Sequence, residues 1–261
     1  MAERDLNLPS KRKPLVLIPV TAEDAERRKL RIRFAAIGAP LILLAIAGFL
    51  YKRYTDPLNA RESFDAGSRL FKIARYNQAI LSFDRAVALD PDFADAYLMR
   101  GQSYQQDSKS EEAMRDFTKV TELRPNDPAG WASRAALYLD LYNYGAAIAD
   151  ASQAIALDPK RASVYNLRGV AYRKNGDLKR SLDDLNHAVA LDPSADNFSQ
   201  RGATYQALGE HQNAIADFDQ VIAIIPDLGA VFFARAASRR ALGDLKGAEE
   251  DHERGRILDG R

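Results

Sequence analysis

Between Ala162 and Ala195 the apolar residues return every three or four positions. Val164, Leu167, Ala171 and Tyr172 share one side of a first helical stretch, and Leu185 and Ala188 share one side of a second. That is the 3.6-residue period of an amphipathic helix, with no two-residue alternation to suggest a strand. Between the stretches stands Asn175-Gly176-Asp177, where the glycine supplies a left-handed helix stop and the aspartate a cap for the next helix. Leu191-Asp192-Pro193 closes the pair, because proline donates no backbone bond and biases its predecessor away from helix. A single hairpin of this kind cannot bury its apolar face alone.

The pattern recurs on both sides. Its closing prolines are Pro91, Pro125, Pro159, Pro193 and Pro226, at steps of 34, 34, 34 and 33 residues. A small residue inside the first helix recurs as Gly67, Gly101, Ala135, Gly169, Gly202 and Ala236. Both Gly169–Pro193 and Gly202–Pro226 are 24 residues apart, so the one-residue deletion falls between Pro193 and Gly202, in an inter-repeat connection. A fixed period of this length predicts stacked hairpins, each burying the apolar face of its neighbour.

The motif resembles the tetratricopeptide repeat. A bulky residue, a small one, an aromatic, a second run of small and apolar residues and the proline follow one another as Tyr97, Gly101, Tyr104, Ala113, Phe117 and Pro125. They do so again as Trp131, Ala135, Tyr138, Ala147, Ala151, Ala154 and Pro159, as Tyr165, Gly169, Tyr172, Ser181, Leu185, Ala188 and Pro193, and as Phe198, Gly202, Tyr205, Ala214, Phe218, Val221 and Pro226. The first copy keeps Gly67, Ala79, Phe83, Ala86 and Pro91, with Leu70 at the aromatic position. The sixth departs: Arg239 replaces the aromatic, His252 the phenylalanine and Gly255 the alanine, and its final helix is loaded with charge, as a terminal cap requires. The resemblance covers residues 60–261 and implies an all-α solenoid of six helix-turn-helix units: 60–93, 94–127, 128–161, 162–194, 195–228 and 229–261.

Ahead of the repeats the pattern changes twice. Residues 1–33 form a polar, basic tail, of which Met1–Pro19, with Pro9, Pro14 and Pro19 around Lys11-Arg12-Lys13, reads as unstructured or extended, before Thr21 and Asp24 open a helix. Phe34–Tyr51 is eighteen residues without a charge, about the minimum for a helix that spans a membrane. A cleaved signal peptide is the competing reading, since Ala45-Ile46-Ala47 offers small residues, but the charged leader is long and the apolar run continues past Ala47. Arg27, Arg28, Lys29, Arg31 and Arg33 on the amino side outnumber Lys52 and Arg53 on the other, which predicts a cytoplasmic amino terminus in an inner membrane and a periplasmic repeat domain. Residues 52–59 read as a short linker, with Asp56-Pro57 expected to break any continuous helix.

Charge narrows the function. The whole chain carries a net +1, but residues 1–33 carry +4 and residues 60–261 carry −4. A repeat domain without a basic stripe is not a nucleic-acid binder. There is no cysteine, which excludes disulfides and thiolate metal sites. His187, His211 and His252 fall in different repeats with no second histidine four residues away, so no metal site is expected. Asp183-Asp184 and Glu249-Glu250-Asp251 are sequence neighbours that face different ways on a helix, which makes them poor acid–base pairs. No catalytic residue, enzyme activity or cofactor is expected.

What remains is the inner face that the resemblance implies, where first helices line a groove for peptides. The matching residues are Arg61, Phe64, Ser68, Lys72, Asp95, Leu98, Gln102, Gln106, Ala132, Ala136, Asn166, Val170, Arg173, Lys174, Ser199, Phe233 and Arg240. The candidate site is Arg61, Phe64, Ser68, Lys72, Leu98, Gln102, Asn166, Arg173, Lys174, Phe233 and Arg240, with Phe64, Leu98 and Phe233 as apolar anchors. The lysine-and-asparagine clamp of the family's chaperone-binding members is missing, because Phe64/Ser68, Leu98/Gln102 and Ala132/Ala136 stand in its places. The expectation is a non-enzymatic, membrane-anchored scaffold that holds a protein segment in its groove. The alternatives are an accessory factor of an envelope-modifying or assembly system, and a secreted adaptor released by cleavage.

Overall fold

The computed structural model describes residues 21–260, without the side chains of residues 24, 25, 31–40, 43, 50, 53 and 54. Twelve α-helices follow one another, and the described residues contain no strand: α1 (Ala22–Lys72), α2 (Tyr76–Leu89), α3 (Ala94–Gln106), α4 (Ser110–Leu123), α5 (Pro128–Asp140), α6 (Tyr144–Leu157), α7 (Ala162–Lys174), α8 (Leu178–Leu191), α9 (Ala195–Leu208), α10 (His211–Ile224), α11 (Gly229–Ala241) and α12 (Leu245–Leu258). They divide into two compact units, residues 1–55 and 56–261. In the second, each odd helix from α3 on packs on the even helix after it and on the one before it, which is the order of stacked hairpins.

Small residues set how closely paired helices approach. A Cβ on Gly67 or Gly101 would lie 2.7 Å from the ring of Phe83 or Phe117, and on Gly202 it would lie 2.8 Å from Phe218. A Cβ on Gly169 would lie 2.8 Å from Leu185 Cγ. Those four large side chains are fully buried. In the third hairpin Ala135 has its Cβ, and the facing residue shrinks to Ala151, so volume is conserved across the contact. In the sixth the ring of Phe233 comes from the first helix instead and fills the space over Gly255.

A ladder of ion pairs runs beside this core. Arg100, Arg134, Arg168, Arg201 and Arg235 each donate from Nε and Nη2 to both carboxylate oxygens of the aspartate sixteen residues on: Asp116, Asp150, Asp184, Asp217 and Asp251. Each also reaches back with Nη1 to the preceding hairpin, to Asp84, Thr118 and Thr121, Ser152, Asn186 and Asp219 respectively. The repeat aromatics sandwich the guanidinium groups: Arg168 lies 5.8 Å from the Tyr165 ring centroid and 5.9 Å from that of Tyr172. Hydrogen bonds to the aspartates, against the cost of burial, hold Arg134, Arg168, Arg201 and Arg235 above the usual guanidinium range. At Arg100 burial pulls down most strongly, and the carboxylates of Asp116 and Asp84 together outweigh it. From the second hairpin on, one arginine per hairpin thus ties its own two helices and the hairpin before.

The turns inside the hairpins fall into two sets. Gly176, Gly209 and Gly243 have φ of 87°, 78° and 83°, and Asp177 and Asp244 cap the helices that follow by accepting from Arg180 N and Gly247 N. The earlier three hairpins place Ala74, Ser108 and Tyr142 in the same left-handed region, at φ of 56°, 59° and 60°. L-residues with a Cβ are strained there.

Two expectations for the amino-terminal part meet the structure differently. Helix α1 starts at Ala22, directly after Thr21, as the Thr21–Asp24 pattern predicts. It does not break at Asp56-Pro57, and runs unbroken through Pro40 and Pro57 to Lys72. A proline inside a helix forfeits one backbone bond, and the Pro57 region keeps its neighbouring turns, with Thr55 Oγ1 and Ser63 Oγ bonding to the carbonyls of Tyr51 and Asn59. Among the described residues no helix is long and apolar enough to cross a membrane. The expected span 34–51 falls partly outside the described set, at the side chains of 34–40, 43 and 50, and the expected extended tail 1–20 falls wholly outside it.

Candidate partner-binding groove

The first helices of successive hairpins lie side by side, α3 on α5, α5 on α7, α7 on α9 and α9 on α11. Across four of them runs a cavity of about 350 Å³. Phe71 of α1 forms one end, Gln102, Gln105 and Gln106 of α3 one wall, and Ala132, Ser133 and Ala136 of α5 the floor. Ser163, Val164 and Leu167 of α7 complete it. Small floor residues let a ligand backbone approach closely, and the three amides offer donors and acceptors without a charge. Gln105 Nε2 donates to Asp140 Oδ2 at 2.7 Å, which fixes its orientation.

Gln102 is the one residue of the candidate site that lines this cavity. The three apolar anchors are engaged in packing. The Phe64 ring lies 5.8 Å from that of Phe83 and 5.0 Å from that of Phe93, and Arg61 covers it at 5.2 Å. Leu98 packs on the cluster of Ala113, Phe117 and Leu137, and Phe233 meets His252 edge-on at 5.2 Å. Phe64 and Leu98 thereby touch both their own hairpin and the next, Phe233 touches the second helix of its own, and all three side chains are half-buried. Asn166 is buried and donates to Asn197 Oδ1 at 2.6 Å and Asp196 Oδ2 at 3.0 Å, a tie between hairpins. Ser68 is half-buried, and its Oγ is sealed from solvent without a partner. Lys72, Lys174 and Arg240 are exposed, and Arg173 is half-buried.

Phe71, Gln105, Ser133 and Ser163 are absent from the residues expected in the groove, and Val164 and Leu167, expected as the apolar packing face of α7, line it as well. Phe71 and Gln105 recur at the same place near the end of the first helix as Arg173, Gln206 and Arg240, and that recurrence was the available signal. The histidines stay apart: His187 stacks on Tyr165 at 5.4 Å, His252 meets Phe233, and His211 has a buried Nδ1 without a partner. Among the described residues no group of three or more acidic or histidine side chains could hold a metal ion.

Comparison with known proteins places this geometry. Residues 67–108 match a TPR repeat family, and residues 94–127, 133–196 and 195–228 match families described as tetratricopeptide repeat. Over 93 residues the chain is 27% identical to Hsp70-Hsp90 organizing protein 3 of Arabidopsis thaliana, covering 36% of this chain and 17% of that one. Over 128 residues it is 32% identical to the heat shock protein sti1 homolog of Schizosaccharomyces pombe, covering 46% and 21%. The chain spans about a fifth of the length of these curated relatives. Among solved structures, the type IV pilus biogenesis factor PilW superposes with a TM-score of 0.72 at 19% identity, covering 76% of this chain and 92% of that one. The pilF protein of Pseudomonas aeruginosa superposes at 0.69 and 13% identity, covering 78% and 93%. The likeness to both is one of fold.

Proposed function

Because this chain carries tetratricopeptide repeats, we propose that it is a non-enzymatic scaffold, anchored in a membrane by residues 34–51, that holds a segment of a partner protein in its groove. The cavity across α1, α3, α5 and α7 carries the binding half of this reading. It is open along four helices, it is floored by alanine and serine, and it gathers no catalytic set. That suits an extended or helical protein segment more than a small substrate. The partner is not read as a chaperone tail: of the clamp places, Phe64 and Leu98 pack internally, and Ala132 and Ala136 offer no charge to a carboxylate.

The membrane half rests on the eighteen uncharged residues Phe34–Tyr51 and on Leu41, Ile42, Leu44, Ile46 and Phe49, all exposed on α1. Exposed apolar side chains that point in several directions from one helix are what a lipid environment covers. The basic cluster Arg27–Arg33 puts the amino terminus in the cytoplasm and the repeats in the periplasm. Two measurements test it. The full chain should resist carbonate extraction, and a reporter active only in the periplasm should be active when fused after Arg261. Activity of a cytoplasm-only reporter at that place would reverse the orientation, and release by carbonate would remove the anchor.

A further inference from the structure

Five half-buried arginines of the solenoid end in bidentate pairs with aspartate, and Arg173 does not. It stands in the last turn of α7, where Nη2 donates to Gln200 Oε1 of α9 at 2.7 Å. Its Nε is sealed from solvent with no acceptor. Among the described residues no carboxylate lies within ion-pair distance of it. Asp196 is reached only through Gln200, whose Nε2 donates to Asp196 Oδ1 at 3.4 Å while Asn166 holds Oδ2. Burial lowers the Arg173 pKa, with no charged neighbour to offset it.

A desolvated cation without a counter-charge is a standing cost to the fold. The ladder shows that this chain supplies a carboxylate to a guanidinium wherever the pairing is structural. At Arg173 it supplies an amide oxygen, which satisfies one of five N–H donors. With Nε sealed and one Nη2 hydrogen given to Gln200, the hydrogens left on Nη1 and Nη2 match a carboxylate held end-on by two parallel hydrogen bonds. Resting on the groove reading above, we infer that Arg173 anchors an acidic side chain, an aspartate or glutamate within the partner segment. Gln200 keeps the fork aimed in the absence of the partner, and Asp196 is kept from neutralising it.

The test uses the purified full-length chain and two labelled twelve-residue peptides. One carries a central Glu-Asp pair in a Gly-Ser background, and the other carries Gln-Asn in the same places. Fluorescence anisotropy should show the acidic peptide bound at least tenfold more tightly, with the gap narrowing as salt rises. Arg173→Gln should erase that preference, and Arg254→Gln, on an exposed site of α12, should keep it. Arg173→Met should leave the melting temperature unchanged or higher, because it removes an uncompensated buried charge. Equal binding of the two peptides, or a preference that survives Arg173→Gln, would overturn the assignment. So would a melting temperature several degrees lower in Arg173→Met, which would make the guanidinium a structural tie between α7 and α9. Ala136→Trp, which plugs the cavity floor, separates the two readings. Loss of both peptides in that variant with Arg173→Gln indistinguishable from the parent keeps the groove and sinks the arginine. If neither variant changes binding, both fall.

Discussion

Asp150→Ala should be among the most destabilising single substitutions that leave the hydrophobic core untouched. Asp150 accepts from Arg134 Nε at 2.6 Å and Nη2 at 3.1 Å, and the two side chains are only 15% and 11% exposed. Removing the carboxylate leaves a guanidinium wedged against Trp131, 5.1 Å from its ring centroid, with two donors unpaired. Breaking one side of a buried pair costs about 3–5 kcal/mol, against about 0–1 kcal/mol for an exposed one. Arg134 Nη1 also reaches Thr118 and Thr121, so any withdrawal of the arginine loosens the preceding hairpin too. The double variant Arg134→Met/Asp150→Leu removes both charges and both desolvation costs, and should recover most of the loss. Urea unfolding followed by helical circular dichroism reads the difference, with the midpoint shift as the measure because an array of hairpins need not unfold in one step. A loss below about 1 kcal/mol for Asp150→Ala would place the pair in the class of exposed ion pairs. The ladder would then be an accompaniment to packing, not a tie.

Three further outcomes follow from the turns and the close contacts. Tyr142→Gly should stabilise the chain by about 0.5–1 kcal/mol, since it relieves a left-handed residue at φ 60° and loses a ring that is 78% exposed; a lowered urea midpoint would show that no strain was stored there. Gly169→Leu should destabilise by about 1–3 kcal/mol or more, because even a Cβ would sit 2.8 Å from the buried Leu185; an unchanged melting curve would remove Gly169 from the helix–helix contact. Asp177 should titrate below the usual aspartate range, because its carboxylate accepts from the backbone and side chain of Arg180. A folded pKa below the unfolded value means the cap contributes above about pH 4 and is lost as pH falls through the folded value, which a carboxyl NMR titration reads directly.

The hairpins were legible because their causes are local and repeated. A glycine, a large residue sixteen positions later and a proline after that recur in phase, and the contact between Gly101 and Phe117 is the physical content of that spacing. The groove was less legible, because a first-helix residue can turn toward a ligand or toward the next hairpin, and spacing alone does not choose. Phe64, Leu98 and Phe233 went to packing, while Ala132 and Ala136, which carry no chemistry of their own, form the floor. The ladder could have been read, since arginine precedes the small residue in five hairpins and aspartate precedes the residue that faces it. Charged residues on an amphipathic helix mostly face solvent, so the spacing alone does not mark these as buried. The continuity of α1 through Pro57 was not legible, because a proline reports what it withholds and not whether its neighbours hold the helix without it.

The first hairpin shows why the ladder belongs to the stacking and not to the hairpin. Each ladder arginine pairs within its own hairpin and reaches back to the one before, and the offset of that backward bond is sixteen residues for Arg100, Arg168 and Arg235. For Arg201 it is fifteen, the place where one residue is missing between Pro193 and Gly202. The aspartate offset within the hairpin stays sixteen at the same arginine. In the first hairpin the arginine is replaced by Ala66, the aspartate by Ser82 and the aromatic by Ser63, and these line a polar cavity of about 250 Å³ with Asn59, Glu62 and Arg85. If the pair served only to hold two helices together, the first hairpin would need it as much as the others. It is absent where, among the described residues, no earlier hairpin stands to be reached. The arginine thus accompanies the contact between repeats, and its aspartate keeps that arginine from being a buried charge with only neutral partners when it reaches Thr118, Ser152 or Asn186. Arg173 is the exception that this rule exposes: an arginine that reaches the next hairpin without a carboxylate of its own.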